Sequence, residues 1–416
     1  MGRYRDTITL ITLFLFIIGG IIGLTWLNYK YVLNNSGMND FLPRWVGIRM
    51  YMVKGWSPYS QETTNEIQTI AYGHPATETE DNGYFLYPFY CMLVYAPFAL
   101  IGDVDIARSI WMTFIELLVF CLLLVSLGLS RWRPSRWILA ILFIITFFWY
   151  HTMRPILNGD VAIVIALLIA GALLALRSEM DALAGFMLAL ASIKPQMVVI
   201  LYLFILIWGI SQKRWQLLIS LFGGILFMTI AFSLLIPTWL PQNIRQIVAF
   251  TNTEMVTTPG SIIAYWLPGI GKQLGYFITL IVVVSLIIEW RSTDGNNFRW
   301  FIWTALFTLV ITNLSGIYTS LDNFIAFLPA IILIIAVWNT RWGLVGRWLT
   351  VIFILIMTIG IWGLVLFQVG RGISPDLDPL ILFLAPILTI IGLYWIRWWA
   401  VRPQRLPLEE LSARYE

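Results

Sequence analysis

Charge is what this sequence has least of: Asp, Glu, Lys and Arg together make up 12% of its 416 residues. A water-soluble domain carries roughly 25%, so the solvent of this chain is mostly lipid. The net charge of +4 is spread in ones to threes between apolar runs, which is not the basic patch of a nucleic-acid binder. Cysteine and histidine are nearly missing as well. Cys91 and Cys121 form no CxxC pair and no disulfide framework, and His74 and His151 cannot close a metal cage by themselves. Redox and zinc chemistry are therefore not expected.

What fills the chain is apolar residues, at 59%. A spanning helix needs about 20 of them in a row. Twelve segments approach that requirement, near 7–28, 106–129, 137–152, 160–176, 181–193, 196–211, 215–236, 273–290, 298–313, 321–338, 348–366 and 379–396. The sequence thus predicts an all-α polytopic protein, a single integral-membrane domain over 1–416. Of the 26 Lys and Arg, 16 fall in the chain ends and one alternate set of short connections, Arg131, Arg177, Arg214, Arg299 and Arg341 among them. The positive-inside rule makes that set cytoplasmic, together with both chain ends. Arg3 and Arg5 precede a run too long for a signal peptide and without a small-residue cleavage site, which reads as an uncleaved anchor.

The remaining connections are longer and external: 29–105, 237–272 and several short turns, with a cytoplasmic tail over 397–416. Loops of that size usually carry function. In the first, Asn39 or Asp40 can cap a helix whose first turn holds Pro43. Leu42, Trp45, Val46, Ile48, Met52 and Val53 form its apolar stripe, interrupted by Arg44, Arg49 and Lys54, the pattern of an amphipathic helix lying among lipid headgroups. The apolar stretch 84–102 contains Pro88 and Pro97 and reads as a partly embedded helix.

Several short motifs occur in order on this background: Asp40-Phe41, "KGWSPYS" (54–60), "YFLYPF" (84–89), "RPILNGDVA" (154–162), "LAGFMLALASIKPQ" (183–196) and "LDNFIAFLP" (321–329). Over roughly residues 8–340 the chain resembles glycosyltransferase family 87, integral-membrane mannosyltransferases of the GT-C type. The resemblance implies a GT-C fold of about twelve transmembrane helices with amphipathic helices in the first external loop. It implies transfer of a hexose, mannose first, from a polyprenyl-phosphate donor to a lipid or glycan acceptor, outside the cytoplasm and in the plasma membrane. The partners would be that donor, that acceptor and membrane lipids, without nucleic acid. The family often has a Gly-Gln pair where this chain has Asn158-Gly159-Asp160, and a carboxylate only accepts where an amide also donates.

The chemistry that the resemblance implies needs one carboxylate, and neither a metal nor a cofactor. A phosphate is already a good leaving group, so no general acid is required, unlike a glycosidase with its two carboxylates. One base suffices to take the acceptor's proton, and the family's base, early in the first external loop, maps onto Asp40. The bland reading of Asp40 is a helix N-cap. For the donor phosphate the cations to consider are Lys194, between two short apolar segments where a charge is costly, then Arg154 and Arg245. Snorkelling is the bland reading of Lys194. Asp160, Asn158, Asp322 and Tyr59 are the expected sugar or acceptor contacts. Asp103 and Asp105 resemble a metal-binding DxD, but capping of the next helix is the simpler role. His151, beside Trp149 and Tyr150, reads as an interfacial histidine. A different class of function, a polytopic secondary transporter or lipid flippase, would give a purpose to Glu116 inside its apolar run, though no internal repeat supports it.

Overall fold

The computed structural model of the chain describes residues 2–253, 257–295 and 297–402. The described residues form helices and no strand. In chain order these are α1 (Gly2–Asn34), α2 (Phe41–Lys54), α3 (Gln61–Tyr72), α4 (Met92–Ala99), α5 (Val104–Ser130), α6 (Arg136–Phe148), α7 (Tyr150–Asn158), α8 (Ala162–Arg177), α9 (Asp181–Ala191) and α10 (Val199–Ser211). Then follow α11 (Trp215–Leu235), α12 (Trp239–Thr253), α13 (Pro259–Trp266), α14 (Gly271–Ser292), α15 (Phe298–Thr312), α16 (Leu321–Val369), α17 (Pro379–Trp395) and α18 (Arg397–Val401). Of the expected tail, 403–416 lies outside the described residues.

Five helices are long and apolar enough to cross a membrane: α1 from Ile11 onward, α5, α11, α14 and α16. The pair α6–α7, bent by 51°, passes the same test when taken together. This is a multi-pass membrane protein. Each of the twelve expected segments overlaps a helix, but α8, α9, α10, α15 and α17 have only 10–17 residues, short of an independent span. Two expected segments, 321–338 and 348–366, fall within α16. There Gly343 leaves the helical region, with φ 51° and ψ −118°. Asn339 Nδ2 donates to Thr350 Oγ1 at 2.9 Å, although eleven residues of straight helix would separate them by about 16 Å. The Trp338 and Phe353 rings also meet, 5.5 Å apart. Gly343 therefore reverses the chain, and α16 is a hairpin of two arms.

The contacts group into two compact units. The first takes residues 1–120, 153–164 and 226–255; the second takes 121–152, 165–225 and 256–416. In the first unit a buried polar seam ties α1 to α5. Asn28 Nδ2 donates to Glu116 Oε2 at 2.8 Å and to Thr113 Oγ1 at 3.1 Å, and the Thr113 and Thr25 hydroxyls lie 3.0 Å apart. Glu116 thus finds its partner on the neighbouring helix, as polar groups away from water must. Asp103 Oδ1 accepts from the Asp105 and Ile106 amides at 2.9 and 3.0 Å, so the DxD look-alike caps α5.

The first unit also corrects the reading of α2. Its residues from Phe41 to Ile48 are all buried, Arg44 among them, because α3 and α4 both pack on it. It is an internal helix for its first two turns, and only its end is amphipathic and exposed. In the second unit, Glu289 is buried and receives Arg397 in a bidentate pair at 3.0–3.1 Å. His151, expected at an interface, is instead wholly buried, with Nδ1 3.0 Å from the Leu321 carbonyl oxygen.

Candidate functional site

The site grows from the start of α2. Two adjacent residues can cap that helix, and the structure chooses Asn39: its Oδ1 accepts from the Phe41 and Leu42 amides, both at 3.1 Å. Asp40 has helical backbone angles and makes no side-chain cap hydrogen bond. Its carboxylate, about one-third exposed, faces the Arg44 guanidinium at 3.5 Å, one turn further along. The spacing of four residues puts both side chains on one face of the helix.

The backbone of Asp40 is fixed from a distant part of the chain. Its amide donates to the Asn158 carbonyl at 2.9 Å. The turn that presents this carbonyl needs Gly159: φ is +71°, and a Cβ there would lie 2.6 Å from Phe41 Cβ. Trp111 Nε1 holds the Gly159 carbonyl at 2.8 Å, and Arg108 bonds the Asn35 and Leu157 carbonyls, each at 2.8 Å. The next residue, Asp160, is buried and accepts the Ala162 amide at 2.6 Å, at the start of α8. Carboxylate oxygens of Asp40 and Asp160 come within 4.8 Å of each other.

Arg44 is the cation of this group. Its guanidinium lies over the Tyr87 ring, 4.3 Å from the centroid. Burial opposes its charge, yet the Tyr87 hydroxyl, the Asp40 carboxylate, the Tyr95 hydroxyl and the Asp160 carboxylate together hold its pKa above the ordinary arginine value. Neither Arg44 Nε nor Tyr95 Oη makes a hydrogen bond among the described residues. Two carboxylates, a buried guanidinium and two phenols thus form one polar cluster. A partly exposed carboxylate held by its neighbours can accept a proton, and a guanidinium with a spare donor can hold an anion.

The other expected residues fall as follows. Tyr59 is committed to structure: its hydroxyl donates to the Tyr87 carbonyl at 2.7 Å, and burial pushes its pKa well above the phenol range. Asn158 contributes the carbonyl that anchors Asp40. Arg154 is half-buried on α7, in the first unit with Asp40. Arg245 is exposed on α12, while Asn243 and Gln246 of that helix face inward. These two bond the Tyr87 and Tyr59 carbonyls at 3.3 and 3.1 Å. Lys194 and Asp322 belong to the second unit. Lys194 is only 2% exposed, so it does not snorkel. Asp322 is equally buried and accepts the Ser320 hydroxyl at 2.7 Å.

In the sequence Arg44 is one member of the pool of external cations that could face a phosphate, and Tyr87 is one residue of the "YFLYPF" motif; nothing marks Tyr95, Asn243 or Gln246. The spacing of four from Asp40 was the available signal for Arg44.

Neither a curated protein nor a solved structure matches the chain. The model of glycosyltransferase family 87 matches residues 85–313. That match takes in Tyr87 and Tyr95, the Asn158–Asp160 turn and α12, the parts that surround Asp40 from outside its own helix. It covers more than half of the 416 residues, and the chain belongs to glycosyltransferase family 87.

Proposed function

We propose that this glycosyltransferase has the GT-C fold and moves a hexose, mannose first among the candidates, from a polyprenyl-phosphate donor to a lipid or glycan acceptor on the extracytoplasmic side of the plasma membrane. The observation that carries the reading is the division of labour between Asn39 and Asp40: the amide caps α2, and the acid beside it faces Arg44.

In the reaction, Asp40 takes the proton of the acceptor hydroxyl as its oxygen bonds to the anomeric carbon. The bond from that carbon to the phosphate oxygen breaks, and the phosphate leaves on its polyprenyl carrier. One displacement of this kind inverts the anomeric centre. Arg44 orients the carboxylate and offers its remaining donor toward phosphate, with Arg154 and Lys194 as further cations for the donor. Asp160 and Asp322 supply acceptors for sugar hydroxyls. Tyr59 acts through Tyr87, whose carbonyl it holds. The external placement rests on the charge bias of the short connections.

The test is a transfer assay in membranes with a panel of radiolabelled polyprenyl-phosphate sugars, comparing wild type with Asp40→Asn. One sugar should label an endogenous lipid or glycan in wild type and leave it unlabelled in the variant at equal expression. Full transfer by Asp40→Asn removes Asp40 from the base role.

A further inference from the structure

Tyr95 is the member of the polar cluster to which the reaction above gives no part. It lies on α4, which packs against α2, and it is wholly buried. Its ring is stacked on Trp111, with centroids 4.8 Å apart, and stands 6.2 Å from the ring of Phe41, the residue after Asp40. Trp111 is itself fixed by its bond to the Gly159 carbonyl. This aromatic clamp holds the hydroxyl close enough to Arg44 and Asp160 for both charges to act on it. Yet Tyr95 Oη makes no hydrogen bond among the described residues.

A buried hydroxyl without a partner is costly, and phenylalanine would fill the same space without that cost. Arg44 Nε, buried in the same cluster, has no hydrogen bond among the described residues either. A donor and an acceptor of one cluster therefore both go unused, and such groups call for an explanation.

The proton transfer supplies one. Before the reaction the guanidinium is held by the Asp40 carboxylate at 3.5 Å and by the Tyr87 ring beneath it. Once Asp40 has taken the proton of the acceptor hydroxyl it is neutral, and the ion pair is lost. Asp160 keeps its charge in the cluster, but one of its oxygens is committed to the Ala162 amide at 2.6 Å. With no other hold, the guanidinium would be drawn off toward Asp160, and Asp40 would begin the next turnover misplaced.

We infer that Tyr95 is a positioning residue of the transferase: while Asp40 is protonated, the Tyr95 oxygen accepts an N–H of the Arg44 guanidinium and keeps it beside Asp40. When the proton leaves Asp40, the ion pair forms again. The inference rests on the reading of Asp40 as the base.

The experiment measures steady-state transfer by the full chain, with the labelled polyprenyl-phosphate sugar that wild type accepts, beside thermal unfolding in detergent. Tyr95→Phe removes one unpaired hydroxyl, so it should melt at or above the wild-type midpoint while kcat falls about tenfold and KM stays within about twofold. In an Arg44→Gln background the same change should lower kcat by less than about twofold, because the group it acts through is gone. If Arg44→Gln does not fold, the single variant decides by its kcat, its KM and its midpoint. Wild-type kcat in Tyr95→Phe, a change confined to KM, a lowered midpoint, or an equal loss in both backgrounds would each overturn the inference and leave Asp40 as the base. Full transfer by Asp40→Asn, or no transfer by wild type from any sugar of the panel, would overturn the proposed function and this inference with it.

Discussion

Arg44 follows Asp40 by one helical turn, and its Nη1 lies 3.5 Å from Asp40 Oδ1. The guanidinium is buried while the carboxylate is about one-third exposed, so the pair turns the carboxylate outward from a fixed cation.

Replacing Arg44 should therefore damage geometry more than binding of the acceptor. Arg44→Gln is expected to lower kcat by about 100-fold, the scale of a misplacement near 1 Å. Arg44→Lys should recover only part of this, because an ammonium cannot lie flat on the Tyr87 ring. Steady-state kinetics separate the two quantities; a change confined to KM would assign Arg44 to substrate binding alone.

Asn39 and Asp40 should part company when each is changed. Asn39→Ala removes the α2 cap and should cost about 1 kcal/mol of stability with transfer largely kept. Asp40→Asn should melt close to wild type and lose about 10²–10⁴-fold in rate, the usual worth of a general base. Thermal unfolding in detergent beside the transfer assay reads both; a stability loss that tracks Asp40 rather than Asn39 would return Asp40 to the capping role.

Gly159→Ala is expected to be worse than its size suggests. The positive φ and the 2.6 Å approach to Phe41 Cβ together should cost about 1–3 kcal/mol. Because the same turn presents the Asn158 carbonyl to the Asp40 amide, activity should fall along with the unfolding midpoint. An alanine variant of normal stability would show that the turn has room to relax.

The seam between α1 and α5 should respond to the loss of a donor and not to the loss of a charge. Asn28→Leu strands the buried Glu116 carboxylate and should destabilise by about 1–3 kcal/mol. Glu116→Gln keeps a hydrogen-bond acceptor facing Asn28 and should remain near wild type in both stability and transfer. If Glu116→Gln folds normally yet fails to transfer sugar, Glu116 has a part in the chemistry.

The helical, membrane-embedded character was legible because long apolar runs admit few other structures. Asp40 stands out in the sequence too, but between capping and chemistry its role is tied: Asn and Asp cap helices about equally well, and only coordinates say which one does. Arg44 could have been found from its spacing. Asn243 and Gln246 could not, since their bonds to Tyr87 and Tyr59 cross 156 and 187 residues of chain, and no local pattern marks such pairs. The headgroup-plane helix was misread for a related reason. An amphipathic stripe identifies the side that is buried, but it cannot report that α3 and α4 cover the other side as well.

Gly343 has a consequence for the whole of α16. A continuous helix from Leu321 to Val369, 49 residues long, would measure about 74 Å, more than twice the roughly 30 Å of a hydrocarbon core. One residue without a side chain folds that rod in half, so that each arm comes close to the thickness of the core instead of overshooting it. Straightening it would push half of the rod out of the apolar layer, with no change in the hydrophobicity of a single residue.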